Sequence, residues 1–209
     1  MEKLTIRCLI ISGLLFTLTS CRSYQLADVI SQEPTEREIV NPYFSTLETD
    51  YIYRAHVEIY GRELSGLFIV KRMDSVTHRM VLTTDFGNTL VDLTIGNHVF
   101  KINYVMEELD RKMVLNMLHE DFKTLLSPHQ HAVVHHALVT QDAYQVKEKS
   151  NTYYFMDKES GFLSKIVKAS KRKEQVVYEF ETSNGKTADQ IDITHKTIRL
   201  KISLTKTVL

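Results

Sequence analysis

The sequence predicts a mainly β domain of the α+β kind, in which a curved antiparallel sheet carries an amphipathic helix across one face. Three observations lead there. From Tyr51 to Tyr104 apolar residues recur with a period of two, broken by turn formers. From Glu107 to Leu126 the period lengthens to that of a helix. From Asn151 onward the period of two returns.

The chain opens on a targeting pattern. Glu2, Lys3 and Arg7 make a short, net basic start, Cys8 to Leu18 is an apolar run, and Leu18-Thr19-Ser20-Cys21 places small residues before a cysteine. The apolar run is too short to span a bilayer as a helix. The pattern resembles a bacterial lipobox, which implies that residues 1–20 are a lipoprotein signal peptide and that Cys21 becomes the acylated first residue. An ordinary cleavable signal with Cys21 as a bystander is the alternative. Cysteine arithmetic favours the lipid, because Cys8 leaves with the signal and Cys21 is the only other cysteine. Two or more acyl chains, at about 0.8 kcal/mol per buried methylene, hold a protein stably on a membrane. Arg22 in place of an Asp after the cysteine is compatible with outer-membrane sorting, by analogy with enterobacteria. Arg22 to Gln25 also lacks the acidic run linked to surface export in some Bacteroidetes, so the expected location is the periplasmic face of the outer membrane.

Residues 21–41 are polar with scattered apolar positions, and read as a flexible tether. Residues 42–209 are then a single β-rich domain, starting at Pro42 and Tyr43-Phe44, with a short helix or irregular lead-in over Ser45 to Asp50. Tyr53, Ala55, Val57 and Ile59 alternate with Arg54, His56 and Glu58, which gives a strand with one buried face. Gly61 and Arg62 turn the chain into an apolar strand, Leu64 to Arg72, and Asp74-Ser75 turn it again. Met80 to Thr84 and Thr89 to Leu93 flank the turn Asp85 to Asn88, and after Gly96-Asn97 a further strand runs from His98 to Tyr104.

Phe86 stands at the tip of that hairpin, where a large aromatic gains nothing from water. It either folds back onto the sheet or meets a membrane or cargo. Asp85-Phe86-Gly87 spells a kinase motif, but no Gly-rich loop or HRD-type loop accompanies it, and the tripeptide is coincidental.

Between Glu107 and Leu126, Leu109, Met113 and Met117 recur at helical spacing beside Val114, Leu118, Phe122 and Leu125. Met113 and Met117 make this stripe deformable, so it suits a lid over an apolar cavity as well as a plain core face. Ser127-Pro128 ends the helix. His129, His131, His135 and His136 then form the richest ionisable cluster, read as an exposed, pH-sensitive loop or helix. His131 and His135 have a zinc-like spacing, yet no Cys or HExxH glutamate completes a set, and no metal is assigned. Strands resume at Asn151 to Met156, Phe162 to Lys168, Gln175 to Glu181, Gln190 to His195 and Thr197 to Leu204. Lys168, Lys171, Arg172 and Lys173 make a basic hairpin tip, with anionic headgroups as its sharper reading.

With 26 basic and 26 acidic residues the chain has no nucleic-acid footprint. No GxSxG elbow, Gly-rich phosphate loop or spaced catalytic set is present, so an enzyme is not expected, and no cofactor beyond the lipid on Cys21.

The order of elements resembles the lipoprotein-localisation family, the outer-membrane receptor LolB and more distantly the carrier LolA. Four features carry the likeness: the Cys21 anchor; His78-Arg79-Met80-Val81-Leu82-Thr83 running into Phe86-Gly87-Asn88-Thr89; the helical lid; and the close at Ile198-Arg199-Leu200-Lys201-Ile202. This resemblance implies an unclosed β-barrel covered by helices, with a cavity for acyl chains. The implied partners are acylated lipoproteins, the outer membrane and a LolA-like periplasmic carrier. An exposed residue before the hairpin glycine, here Phe86, would contact the membrane or cargo. The rival reading is a structural or assembly lipoprotein whose sheet docks a protein, and a metal-dependent enzyme using the histidines ranks last.

Overall fold

The period-two segments pair in the order in which they are written, and two such meanders meet along one seam. The computed structural model describes residues 24–47, 49–147, 151–170 and 172–207. The first meander comprises β2 (Asp50–Ile59), β3 (Arg62–Arg72), β4 (Thr77–Thr83), β5 (Thr89–Gly96) and β6 (Phe100–Val105). A 3-10 turn at Glu107–Leu109 leads into the α-helix α1 (Lys112–Leu126). The second meander comprises β7 (His129–Ala137), β8 (Gln141–Lys147), β9 (Asn151–Asp157), β10 (Leu163–Ser170), β11 (Lys173–Glu181), β12 (Gln190–His195) and β13 (Leu200–Lys206). β13 pairs with β2 and joins the two, while β1 (Ser31–Val40) pairs with β7. The result is one 13-stranded antiparallel sheet with β1 and β6 as its edges. Those edges do not pair with each other, and the curled sheet is an unclosed barrel.

Inward-facing residues of both meanders form one core, including Tyr53, Phe68, Met80, Leu93, Ile166, Tyr178 and Leu204, and α1 adds Phe122, Leu125 and Leu126 from the concave side. The last strand is as its alternation dictates: Leu200, Ile202 and Leu204 are buried. The link from β1 to β2 is irregular, with no helix among the described residues of Ser45 to Asp50, and it threads Tyr43 and Phe44 through the interior. Tyr43 stacks beside Phe180 with ring centres 4.9 Å apart and donates its hydroxyl proton to the Leu163 carbonyl. A smaller cluster lies on the opposite face of β8 to β11, where Tyr24 and Leu26 pack over Tyr153, Phe155 and Val177.

Three expectations need correcting. The tether is not one over residues 31–40, because that stretch is the edge strand β1, and the packed chain already begins at Tyr24. Only Ile39 of β1 is buried, so the strand has water on both faces and no alternation to betray it. Pro34 is tolerated there because an edge strand leaves one row of backbone donors unused. The histidine segment is neither loop nor helix; it is β7, held between β1 and β8. The covering is one α-helix and a 3-10 turn among the described residues, and β8 occupies a stretch with no strand expected. No helix among those residues is long and apolar enough to cross a membrane. Cys21 lies outside the described residues.

Candidate functional site

Beneath α1 the sheet leaves an apolar cavity of about 100 Å³, widening to about 780 Å³ of empty space when its open mouth is included. Its floor is made where small residues face each other: Ala55 on β2 pairs with Gly66 on β3. A large side chain in place of Ala55 would fill the space, and Gly66 lets the β4 backbone at Thr83 come close behind it. Val57, Leu82 and Ile202 form the walls, and Val114, Met117, Leu118 and Phe122 of α1 form the roof. Phe122 stacks on Phe68 with centroids 5.2 Å apart and closes the deep end. The lining is almost entirely hydrocarbon, so a chain of methylene groups would gain from entering and water would not.

The two ends of α1 are held differently. Its second half is tied down by polar contacts: Asp121 pairs with His195 at 2.8 Å, both nearly buried, and the Tyr178 hydroxyl donates to the same carboxylate at 3.3 Å. Burial pushes the Tyr178 hydroxyl well above its ordinary pKa, so it stays a proton donor. Lys168 reaches Glu120, and Asn41 donates its amide to the Leu125 carbonyl at 2.7 Å. The first half has no side-chain cap and no acidic residue in its first turn. Among the described residues, 112–118 make no ion pair or side-chain hydrogen bond, and this half rests on the cavity through side-chain packing. Of the two methionines expected in the lid, Met117 lines the cavity, whereas Met113 points away and is 79% exposed. One turn separates them, and four residues on a helix do not return to the same azimuth.

Phe86 is 92% exposed, which removes the reading in which it folds back onto the sheet. The turn beneath it is firmly built: the Gly87 amide donates to the Thr84 carbonyl at 3.0 Å, and the Thr84 amide donates to Asn88 at 2.8 Å. Gly87 takes φ +82°, the left-handed residue that a type I turn with a G1 bulge requires. The Asp85 amide bonds to the Ser65 carbonyl at 3.1 Å, fixing the hairpin to the start of β3. Leu64, Ser65, Gly66, Leu82 and Thr83 all line the cavity, so its mouth opens at the base of the Phe86 hairpin. Tyr60 and Leu64, 65% and 44% exposed, lie on the same rim.

The histidines go elsewhere. His129, His131 and His135 share the face of β7 on which Glu38 and Glu33 of β1 stand. His129 pairs with Glu38 at 3.0 Å, and His135 bridges Glu33 at 3.1 Å and Asp142 at 3.0 Å. Burial works against protonating His135, but its two carboxylate partners outweigh it and raise the pKa. His136 points to the opposite face, where burial lowers its pKa. Among the described residues no three His, Cys, Asp or Glu side chains are placed to hold a metal ion.

No family model matches the sequence, and no curated protein does. The solved structures give a clearer result. The fold is similar to that of a LolA superfamily protein from Nitrosomonas europaea, with a TM-score of 0.52 at 7% identity, over 80% of this chain and 87% of that one. The chain has a LolA-like fold. Weaker likenesses, at TM-scores of 0.44 and 0.41 and 9% identity, are to a Vibrio parahaemolyticus domain assigned to outer membrane lipoprotein sorting and to a DUF1329 family protein from Desulfovibrio piger. The former covers 78% of this chain and 86% of that one, and the latter 76% and 83%. These two are too distant to build on. At such identities a LolA-like fold transfers architecture and not a residue-level site.

The residues that sequence reasoning missed are those that make the void. Gly66 is needed because an added Cβ would lie 1.7 Å from the Thr83 backbone oxygen. A glycine inside an apolar strand was the available signal for such a close approach. The Asp121–His195 tie spans 74 positions, and nothing local announces it.

Proposed function

We propose that this protein is an outer-membrane lipoprotein, anchored through a lipid on Cys21 and facing the periplasm, that binds acyl chains of other lipoproteins and helps insert them into the membrane. The observation that carries this is the hydrocarbon-lined cavity under α1, open at the rim from which Phe86 projects. The LolA-like fold and the lipoprotein pattern at Cys21 support the same reading. No covalent step is required of the protein: an acyl chain enters because burial of apolar surface stabilises it by about 25 cal/mol per Å². It leaves when the bilayer offers more burial. α1, fixed at one half and packed at the other, is the element whose movement would admit it, and Phe86 would touch lipid during the hand-over. A LolA-like periplasmic carrier would supply the cargo.

Native mass spectrometry of the chain beginning at Arg22, mixed with a synthetic diacylated lipopeptide, tests this directly. All the strands, α1 and both apolar clusters seen among the described residues lie after Arg22, so this chain retains them. The expected result is a one-to-one complex that Met117→Glu abolishes and Met113→Ser leaves intact. A chain that remains free of lipopeptide would refute the cavity's role and favour a structural lipoprotein docking a protein partner.

A further inference from the structure

The chain is electrically neutral overall, yet its charges are sorted between the two rims of the sheet. Because the sheet is antiparallel, the turns β8–β9, β10–β11, β12–β13, β2–β3 and β4–β5 all lie at the rim that bears the cavity mouth and Phe86. At the first three of these stand Lys147, Arg172, Lys173, Lys196 and Arg199, all exposed. None of the five has an ion pair or side-chain hydrogen bond among the described residues. Among the described residues of these three turns the acid is Glu174, which accepts a hydrogen bond from the Tyr24 hydroxyl at 2.9 Å; Glu148 and Lys149 lie outside the described residues. The opposite rim is mixed: Asp157, Lys158 and Glu159 occupy the β9–β10 turn, and Lys186 and Asp189 lie between β11 and β12. Lys158 there is already paired with Asp142.

The route of the N-terminal segment falls on the same side. Tyr24 packs edge-on against Tyr153 with centroids 5.6 Å apart, near the start of β9, and its bond to Glu174 is near the start of β11. Two residues lie between Tyr24 and Cys21, and the three steps reach at most about 11 Å. The described chain therefore begins beside the basic turns and not at the far rim.

From this sorting we infer that Lys147, Arg172, Lys173, Lys196 and Arg199 form a docking face for the anionic phospholipid headgroups of a bilayer, which holds the cavity mouth against the membrane. The partner is a lipid surface because the cations are spread along a rim and because Tyr24, where the described chain begins, sits among them. Unpaired cations near an anionic surface act additively and over a Debye length, so rough planarity suffices and no complementary shape is needed. The position of the anchor rests on acylation of Cys21, but the charge sorting does not.

The test is flotation of the chain beginning at Arg22, which carries no lipid, with vesicles of phosphatidylcholine alone or mixed with phosphatidylglycerol. Binding to the mixed vesicles is expected, weakening as salt rises, with little binding to phosphatidylcholine. Each cation contributes about a five-fold gain in partitioning, so R172E/K173E should weaken binding at least about 25-fold. K196E/R199E should do the same, and K186E on the far rim should not. Melting temperatures of the three variants check that they fold. Equal binding to both vesicles, no response to salt, or equal loss with K186E would overturn the inference. Failure to bind any vesicle would also overturn it, and would leave an acidic protein as the occupant of the rim. Lipopeptide binding measured on the same sample reports on the cavity separately, so the two readings fail independently.

Discussion

Substituting Phe86 by Glu separates a residue that builds the fold from one that meets something outside it. With 92% of its surface in water, the side chain gains less than about 0.3 kcal/mol from the folded state. Its turn is closed by backbone bonds at Thr84, Gly87 and Asn88 that do not involve the ring. The variant should therefore unfold within about 0.5 kcal/mol of the parent. Burying the ring in a bilayer or against an acyl chain is worth about 2 to 3 kcal/mol, which corresponds to a roughly 30- to 150-fold loss in the contact made by the tip. The assay pairs a thermal melt with transfer of a labelled lipoprotein to liposomes. A fall in Tm of more than about 4 °C, equivalent to about 1 kcal/mol or more for a chain this long, would make Phe86 structural. Unchanged transfer with an unchanged Tm would remove it from function altogether.

Other expectations follow from the same contacts. Gly66→Ala drives a methyl group into the Thr83 carbonyl, and should cost about 1 to 3 kcal/mol or more in urea unfolding; a neutral effect would mean that the hairpin can move aside. His195→Ala leaves the nearly buried Asp121 carboxylate without its 2.8 Å hydrogen-bond partner and should cost about 1 to 3 kcal/mol, with much of the loss recovered when Asp121 is replaced by Leu as well; a loss under about 0.5 kcal/mol would show that water solvates the site. His135 has a raised pKa, so its pairing with Glu33 and Asp142 contributes fully below its ordinary value of 6.5 and is lost as pH rises above 6.5 through the raised value. Amide exchange in Ser31 to Val40, corrected for intrinsic rates, should therefore quicken between about pH 6 and pH 8.5, and His135→Asn should flatten the profile. Slower exchange at the higher pH would contradict the sign.

What could be read from the sequence was what repeats locally. The alternation of Tyr53, Ala55 and Val57, of Leu200, Ile202 and Leu204, and the helical recurrence of Met117, Leu118 and Phe122 all follow from burying one face of an element. The turn at Phe86 was legible because Gly87 and Asn88 are typical turn formers. β1 was not, since a strand solvated on both faces leaves no apolar period; its place is set by Glu33 and Glu38 finding histidines about a hundred positions away. The histidine segment misled because its charge pattern is local while its partners are not. Met113 misled because it lies in the first turn at the margin of the apolar stripe, outside the arc taken by Val114, Met117, Leu118 and Phe122. The cavity depends on the register that sets Ala55 against Gly66, and register is a property of two strands together.

A barrel that stops short of closing must leave two rows of backbone donors and acceptors bare, and the two edges differ in character. β1 offers a poor template for another strand: Pro34 lacks a donor, the register slips between Pro34 and Arg37, and Glu33, Glu36 and Glu38 repel an acidic newcomer. β6 is short, but Ile102 and Tyr104 stand exposed on it at 40% and 49%. Self-association through strand addition is therefore blocked on one side and open on the other, so copies of this chain can lengthen a sheet only at β6. Head-to-tail stacking into a continuous fibre, which would need both edges, is disfavoured by β1.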